Sequence, residues 1–183
     1  MIKIKLKKEE LTMLSAMKGK ILKSFEYESH PYHKDLLYGN IGVHLARESF
    51  EISNEEMVGQ YFDTTTDYAC YHIKKINPNG FDPVVVAPTK YYMIDERIKE
   101  IYVVEDTTNI NNGEFKIIQD SSIVIRTEYN IYTLVRPFYC SESMNLYVDR
   151  TEMKLPTIDE IMEDWIDCEH IEHVKITRKI INL

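Results

Sequence analysis

The chain has 183 residues, 44% of them hydrophobic, 28% charged and 11% aromatic, with a formal net charge of -8. Such a length suits one domain that buries roughly two-thirds of its unfolded surface, so neither a disulfide nor a metal is needed for folding, and the composition excludes a disordered or low-complexity chain. The acidic balance argues against nonspecific nucleic-acid binding, which relies on Lys and Arg displacing counterions from phosphates, and directs expectation to a basic partner.

In chain order, "MIKIKLK" alternates Ile2, Ile4 and Leu6 with Lys3, Lys5 and Lys7, the period of a strand whose lysines guard an open edge. "KEELTMLSAMKG" changes period. Leu11, Leu14 and Met17 share a helical face, acids open the segment, and Gly19 stands where the chain must turn away. From Lys20 to about Val148 short alternating runs separated by turn residues predict strands, among them "KILKSFEYE", "IGVHLA", "SFEIS", "DYACYHIKKI", "KYYMI", "EIYVVED", "EFKIIQ" and "SIVIRTE". In "EDTTNINNGEFKII" the pair Asn112 and Gly113 supplies the positive φ angles of a tight hairpin. "SIVIRTEYNIYTLVRP" predicts a second hairpin turning at Glu128 to Asn130.

"LPTIDEIMEDWID" predicts a second helix. Thr157 is its N-cap, Glu160 completes a capping box, and Ile158, Ile161, Met162, Trp165 and Ile166 form the apolar face. "HVKITRKIINL" then returns as a strand. Successive hairpins without strand-helix alternation predict one α+β domain over residues 1–183: a mainly antiparallel meander sheet or partly open barrel, with an N-terminal and a C-terminal amphipathic helix packed on it.

Chemistry-bearing motifs are sparse. "ESHPYHKD" carries His30 and His33, but Pro31 disfavours the helix that would put both on one face, and a third ligand such as His44 or Glu28 would have to come from elsewhere. "CEHIEH", with His170, lacks the HExxH spacing that places an acid between two histidines one turn apart. Cys70 and His72 are about 6–7 Å apart along a strand, beyond hydrogen-bond reach. "FDTTTD", with Asp63 and Asp67, lacks an EF-hand's glycine and alternating oxygen ligands and reads as a turn or the entry to a strand. No dinucleotide fingerprint or P-loop occurs, and no cofactor is expected. Cys70, Cys140 and Cys168 are an odd set without a CxxC pair, and no apolar run approaches the roughly 18 residues of a membrane span. Together with an N-terminus unlike a signal peptide, this predicts a cytoplasmic protein without membrane attachment. The bias to Ile, Lys, Asn, Glu and Tyr points to an AT-rich bacterial or phage genome.

The second helix is the least ordinary segment. It carries Asp159, Glu160, Glu163, Asp164 and Asp167 with no Lys or Arg. Asp164 and Asp167 oppose the helix dipole, and Asp159 with Glu163 and Glu160 with Asp164 are like-charge pairs costing about 0.2–0.5 kcal/mol each. Either Lys175, Arg178 or Lys179 of the closing strand compensates, or the acids form a docking stripe. The leading expectation is an acidic protein-interaction domain, inhibitor or immunity-like, that binds a basic partner through these acids. Two other readings are a small metal-dependent hydrolase using His30, His33 or His170, and a β domain that binds a small ligand among its tyrosines and methionines.

Overall fold

The computed structural model describes residues 1–29, 36–84, 89–137, 140–165 and 171–183. The elements are β1 (Ile2–Ile4), α1 (Lys8–Ser15), β2 (Ile21–Ser29), β3 (Leu36–Leu45), β4 (Ser49–Tyr61), β5 (Thr64–Ile76), β6 (Lys90–Ile110), β7 (Phe115–Thr127), β8 (Ile131–Val135), β9 (Met144–Asp149), α2 (Ile158–Glu163) and β10 (Val174–Asn182). Strand dominates, and both helices are short. No helix among the described residues is long and apolar enough to cross a membrane.

Two hairpins form where turn chemistry places them. Asn111, Asn112 and Gly113 all take positive φ, which lets Ile110 pair with Phe115 across the β6–β7 turn. The β7–β8 turn closes with the Thr127 N–H donating to Asn130 O at 2.8 Å. Elsewhere runs that read as separate strands are continuous. "KYYMI" and "EIYVVED" are parts of the 21-residue β6, "FKIIQ" and "SIVIRT" of β7, and all of "TTTD" belongs to β5.

The sheet is mixed and mostly antiparallel, but its order departs from a meander. Its pairings run β6–β2–β3–β9–β8–β7 and return from β7 to β6, a closed ring of six strands. The first half of β6 pairs with β2, Ile21 opposite Arg97, and the second half with β10, Val174 opposite Ile110. The two partners follow one another along one edge. Gly19 N–H donates to Ile98 O and Leu183 N–H to Ile101 O, and the Lys18 ammonium bonds Leu183 O. β1 pairs in parallel with β7, an arrangement no hairpin can make and one that joins segments more than a hundred residues apart. Local pattern carries no signal for such a contact.

Phe25, Ile101, Ile123, Tyr132 and Leu134 belong to the larger core, with Leu14 and Met17 from α1 and the segment after it. Phe25 and Tyr132 meet edge to face at 5.3 Å. A second cluster joins Ile2, Ile4, Ile110, Ile117, Trp165 and Ile176, packing α2 and its flanks on the β1–β7–β6–β10 wing. α1 is held down by a buried carboxylate: Glu10 accepts from Lys7 N–H, from Ile73 N–H and from His72 Nδ1 at 3.0 Å. Among the described residues the ring is narrowest between β3 and β9, which share two residue pairs there, Leu36–Asn145 and Leu37–Met144. In native-state hydrogen exchange, amides of this seam are expected to exchange fastest among the ring strands, and those of β6 and β7 slowest. Equal protection around the ring would contradict a seam at β3–β9.

Candidate functional site: a cleft beneath the second helix

Three strands lay a polar row across the wing. Arg178 on β10 stands opposite Asp106 on β6, and Asp106 opposite Gln119 on β7. Arg178 grips Asp106 in a bidentate pair, Nε to Oδ1 at 2.7 Å and an Nη to Oδ2 at 2.8 Å, and its other Nη donates to Pro156 O at 2.7 Å. Asp106 is 0% exposed, so the fork geometry is what makes its burial tolerable. The register then slips: Val104 faces Ser122 and Glu105 faces Asp120, leaving Ser121 as an extra residue. A bulge of this kind re-aims side chains locally. Gln119 and Ser121 line one cleft, while Asp120 bonds Lys5 at 2.6 Å and accepts the Leu6 N–H at 2.8 Å.

Arg136 follows β8 and closes the floor. It is 5% exposed. One Nη donates to Ala69 O and the other to Asp120 O at 2.6 Å, and the guanidinium carbon lies 4.9 Å from the centre of the Tyr71 ring. Among the described residues it makes no ion pair with a carboxylate, and its Nε and the Gln119 Oε1 have no hydrogen-bond partner. Burial pushes the guanidinium pKa down, opposed by nearby Tyr71, Cys70, Asp120 and Asp106. A buried cation held only by carbonyls and a ring face is an expensive arrangement unless an acceptor is supplied.

The roof is α2 with Pro156 and Trp165. Its N-terminus folds as the capping box predicts: Thr157 Oγ1 accepts from Glu160 N–H, and Glu160 Oε2 accepts from Thr157 N–H at 2.7 Å and Thr157 Oγ1 at 3.0 Å. These donors hold the Glu160 carboxyl below its usual range. Glu160 and Asp164 line the cleft, which encloses about 250 Å³. Partial burial and the neighbouring Glu163 push the Asp164 carboxyl up. Asp159 and Glu163 stand instead on an outer groove of about 460 Å³ with Met162, Ile171, Val174 and Glu172.

Comparison with protein-family models, with curated proteins and with solved structures finds no match. The functional reading therefore rests on the arrangement of residues.

The acids of α2 are thus not one stripe. Glu160 and Asp164 turn to the cleft and Asp159 and Glu163 to the groove, whereas Asp167 lies outside the described residues. Among the described residues Arg178 is committed to Asp106, and no ion pair joins Lys175 or Lys179 to Asp159, Glu160 or Glu163. His30, His33 and His170 also lie outside the described residues. His44 is engaged on both ring nitrogens, with Ser49 Oγ at 2.9 Å and Glu26 Oε2 at 3.0 Å, and Thr89 Oγ1 donates to Glu26 Oε1. With Ser49 only 2% exposed, this chain ties β2, β3 and β4 together and offers no open nucleophile. Burial pushes the Cys70 thiol up, as befits a packed apolar side chain.

Sequence reasoning missed Arg136, Gln119 and Asp106. The available signal was polar residues in otherwise apolar strand runs, but only the bulge and the β6–β10 pairing bring them together. Trp165, the chain's single tryptophan, is 4% exposed and reports on the roof. Because the Glu160 carboxyl is depressed in the fold, its hold on α2 is complete above the ordinary glutamate pKa of about 4.3 and is lost as pH falls through the lower folded value. Trp165 emission should shift to longer wavelength in that window while the far-ultraviolet strand signal persists. The Glu160→Ala variant should show the shift already at neutral pH, and unaltered emission there would mean the capping box does not position the indole.

Proposed function

We propose that the chain is an acidic protein-interaction domain that holds a basic, amphipathic segment of a partner in the groove along the outer side of α2. The observation that carries this reading is the groove's construction: Met162, Ile171 and Val174 supply apolar surface, and Asp159, Glu163 and Glu172 surround it. None of the three carboxylates is in an ion pair among the described residues. Like charges gathered without cations oppose folding slightly and favour a partner that brings the missing charge. The net charge of -8 extends the same field over the molecule and speeds encounter with a basic protein.

An inhibitor or immunity-like role in a bacterial or phage cytoplasm agrees with this reading, because such a protein needs a rigid scaffold and a complementary face but no chemistry of its own. The Asp159→Lys, Glu163→Lys double variant provides the test. Wild-type protein should retain one basic protein from source lysate at low salt and release it as salt rises. The variant should bind that protein at least about tenfold more weakly with a thermal midpoint close to wild type. Retention of the same partner by the variant would exclude the groove, and a parallel loss of folding would assign the acids a structural role.

A further inference from the structure

Among the described residues β10 pairs with β6 alone, in one uninterrupted register from Val174 opposite Ile110 to Asn182 opposite Tyr102. Two hydrogen bonds fix which backbone groups that pairing uses: Asn111 N–H donates to His173 O at 2.8 Å, and Leu183 N–H to Ile101 O at 3.0 Å. Antiparallel pairing alternates, so the odd-numbered residues from His173 to Leu183 turn their N–H and C=O groups to β6. Val174, Ile176, Arg178, Ile180 and Asn182 turn theirs outward. No hydrogen bond to these outward groups forms among the described residues. The edge of β5, which pairs only with β4, is treated differently: the Glu10 carboxylate takes Ile73 N–H and Arg136 takes Ala69 O. Side chains stopper that edge, and the edge of β10 is open.

The side chains beside the open ladder are of two kinds. Ile176 and Arg178 face α2, where Ile176 packs in the Trp165 cluster and Arg178 reaches Pro156 O. Ile180 shares their face and is 49% exposed. Lys175, Thr177 and Lys179 are exposed on the other face. Neither lysine has an ion pair or a hydrogen bond among the described residues. Lysines on an edge select what may pair with it. A second copy of β10 would bring its own Lys175 and Lys179 against these two, and like charges across strands are destabilising. A strand with carboxylates opposite both lysines gains two cross-strand ion pairs instead. Apolar residues opposite Ile176 and Ile180 would cover the exposed isoleucine. The net charge of -8 acts from farther away and is screened beyond about 8 Å at physiological salt, whereas these lysines stand directly beside the ladder.

We propose that β10 is a docking edge for an extended segment of a partner protein, added antiparallel, with acidic residues opposite Lys175 and Lys179 and apolar residues opposite Ile176 and Ile180. Read from its N-terminus, the segment carries an apolar residue followed by an acid, and the pair recurs four residues on. Main-chain hydrogen bonds hold such a strand and its side chains give the selection. The lysines lie on the face of the sheet away from α2, so this assignment stands without that of the groove.

The test is titration of the full chain with a capped synthetic peptide of repeated Val-Glu-Thr-Thr, and with its counterpart in which Lys replaces every Glu. Saturable binding of the Glu peptide is expected, with the Lys peptide at least about tenfold weaker. In hydrogen exchange the amides of Ile176, Arg178 and Ile180 should become protected when the Glu peptide binds, while those of Lys175, Thr177 and Lys179 are protected already. N-methylation of the peptide's valines, whose N–H groups face β10, should abolish binding. The Lys175→Glu, Lys179→Glu double variant should reverse the preference between the two peptides. If that variant does not fold, the comparison of peptides and the exchange pattern on wild-type protein decide. No binding of the Glu peptide at millimolar concentration, or equal binding of the Lys peptide, overturns the proposal. So does binding that leaves the Ile176, Arg178 and Ile180 amides unprotected, or an unchanged preference in a folded double variant.

Discussion

One strand sets the terms for the rest of the molecule. β6 runs 21 residues from Lys90 to Ile110 and serves two structures in succession. Its first half closes the ring through β2, and its second half carries the wing through β10, with β7 along the other edge. A strand that long would leave an exposed ladder beside any one short partner; here the partner changes near Ile98, where β2 begins and the chain reaches Leu183. Every functional feature lies on the second half or on what packs against it.

The wing carries buried charge because its polar row cannot be avoided in that register. Lys5, Arg136 and Arg178 are set against Glu105, Asp106 and Asp120, three cations and three acids, so the cluster as a whole is neutral. The pairing is uneven: Lys5 holds two acids, Arg178 holds one and Arg136 holds none. Neutrality at a distance limits the cost of burial, but it does not supply the short charge-assisted bonds that make a buried ion favourable. Lys5 and Arg178 therefore fasten strands through carboxylates, whereas Arg136 is held by two carbonyls and the Tyr71 ring.

α2 divides its acids by geometry. Successive residues of a helix point about 100° apart, so Glu160 and Asp164 reach the inner cleft while Asp159 and Glu163 reach the outer groove. The capping box fixes the start of the helix, and Trp165 buried just beyond its end fixes the rotation about its axis. Both faces become anionic for that reason.

The sequence by itself determined what depends on near neighbours: the strand periods of residues 2–6 and 174–182, the two hairpin turns, the Thr157–Glu160 box and the concentration of acid after it. Those signals act over a few residues, through φ preference, side-chain period or a cap, and they are written locally. Tertiary structure alone decided the rest. The parallel seat of β1 on β7, the ring closed through β3 and β9, and the junction of runs into β6 all depend on pairing between distant segments, where alternation is the same for every candidate partner. The cleft belongs to this second class. Arg136, Gln119, Asp106 and Arg178 are separated in sequence and individually ordinary, and they meet because a bulge at Ser121 and the β6–β10 register bring them under one short helix.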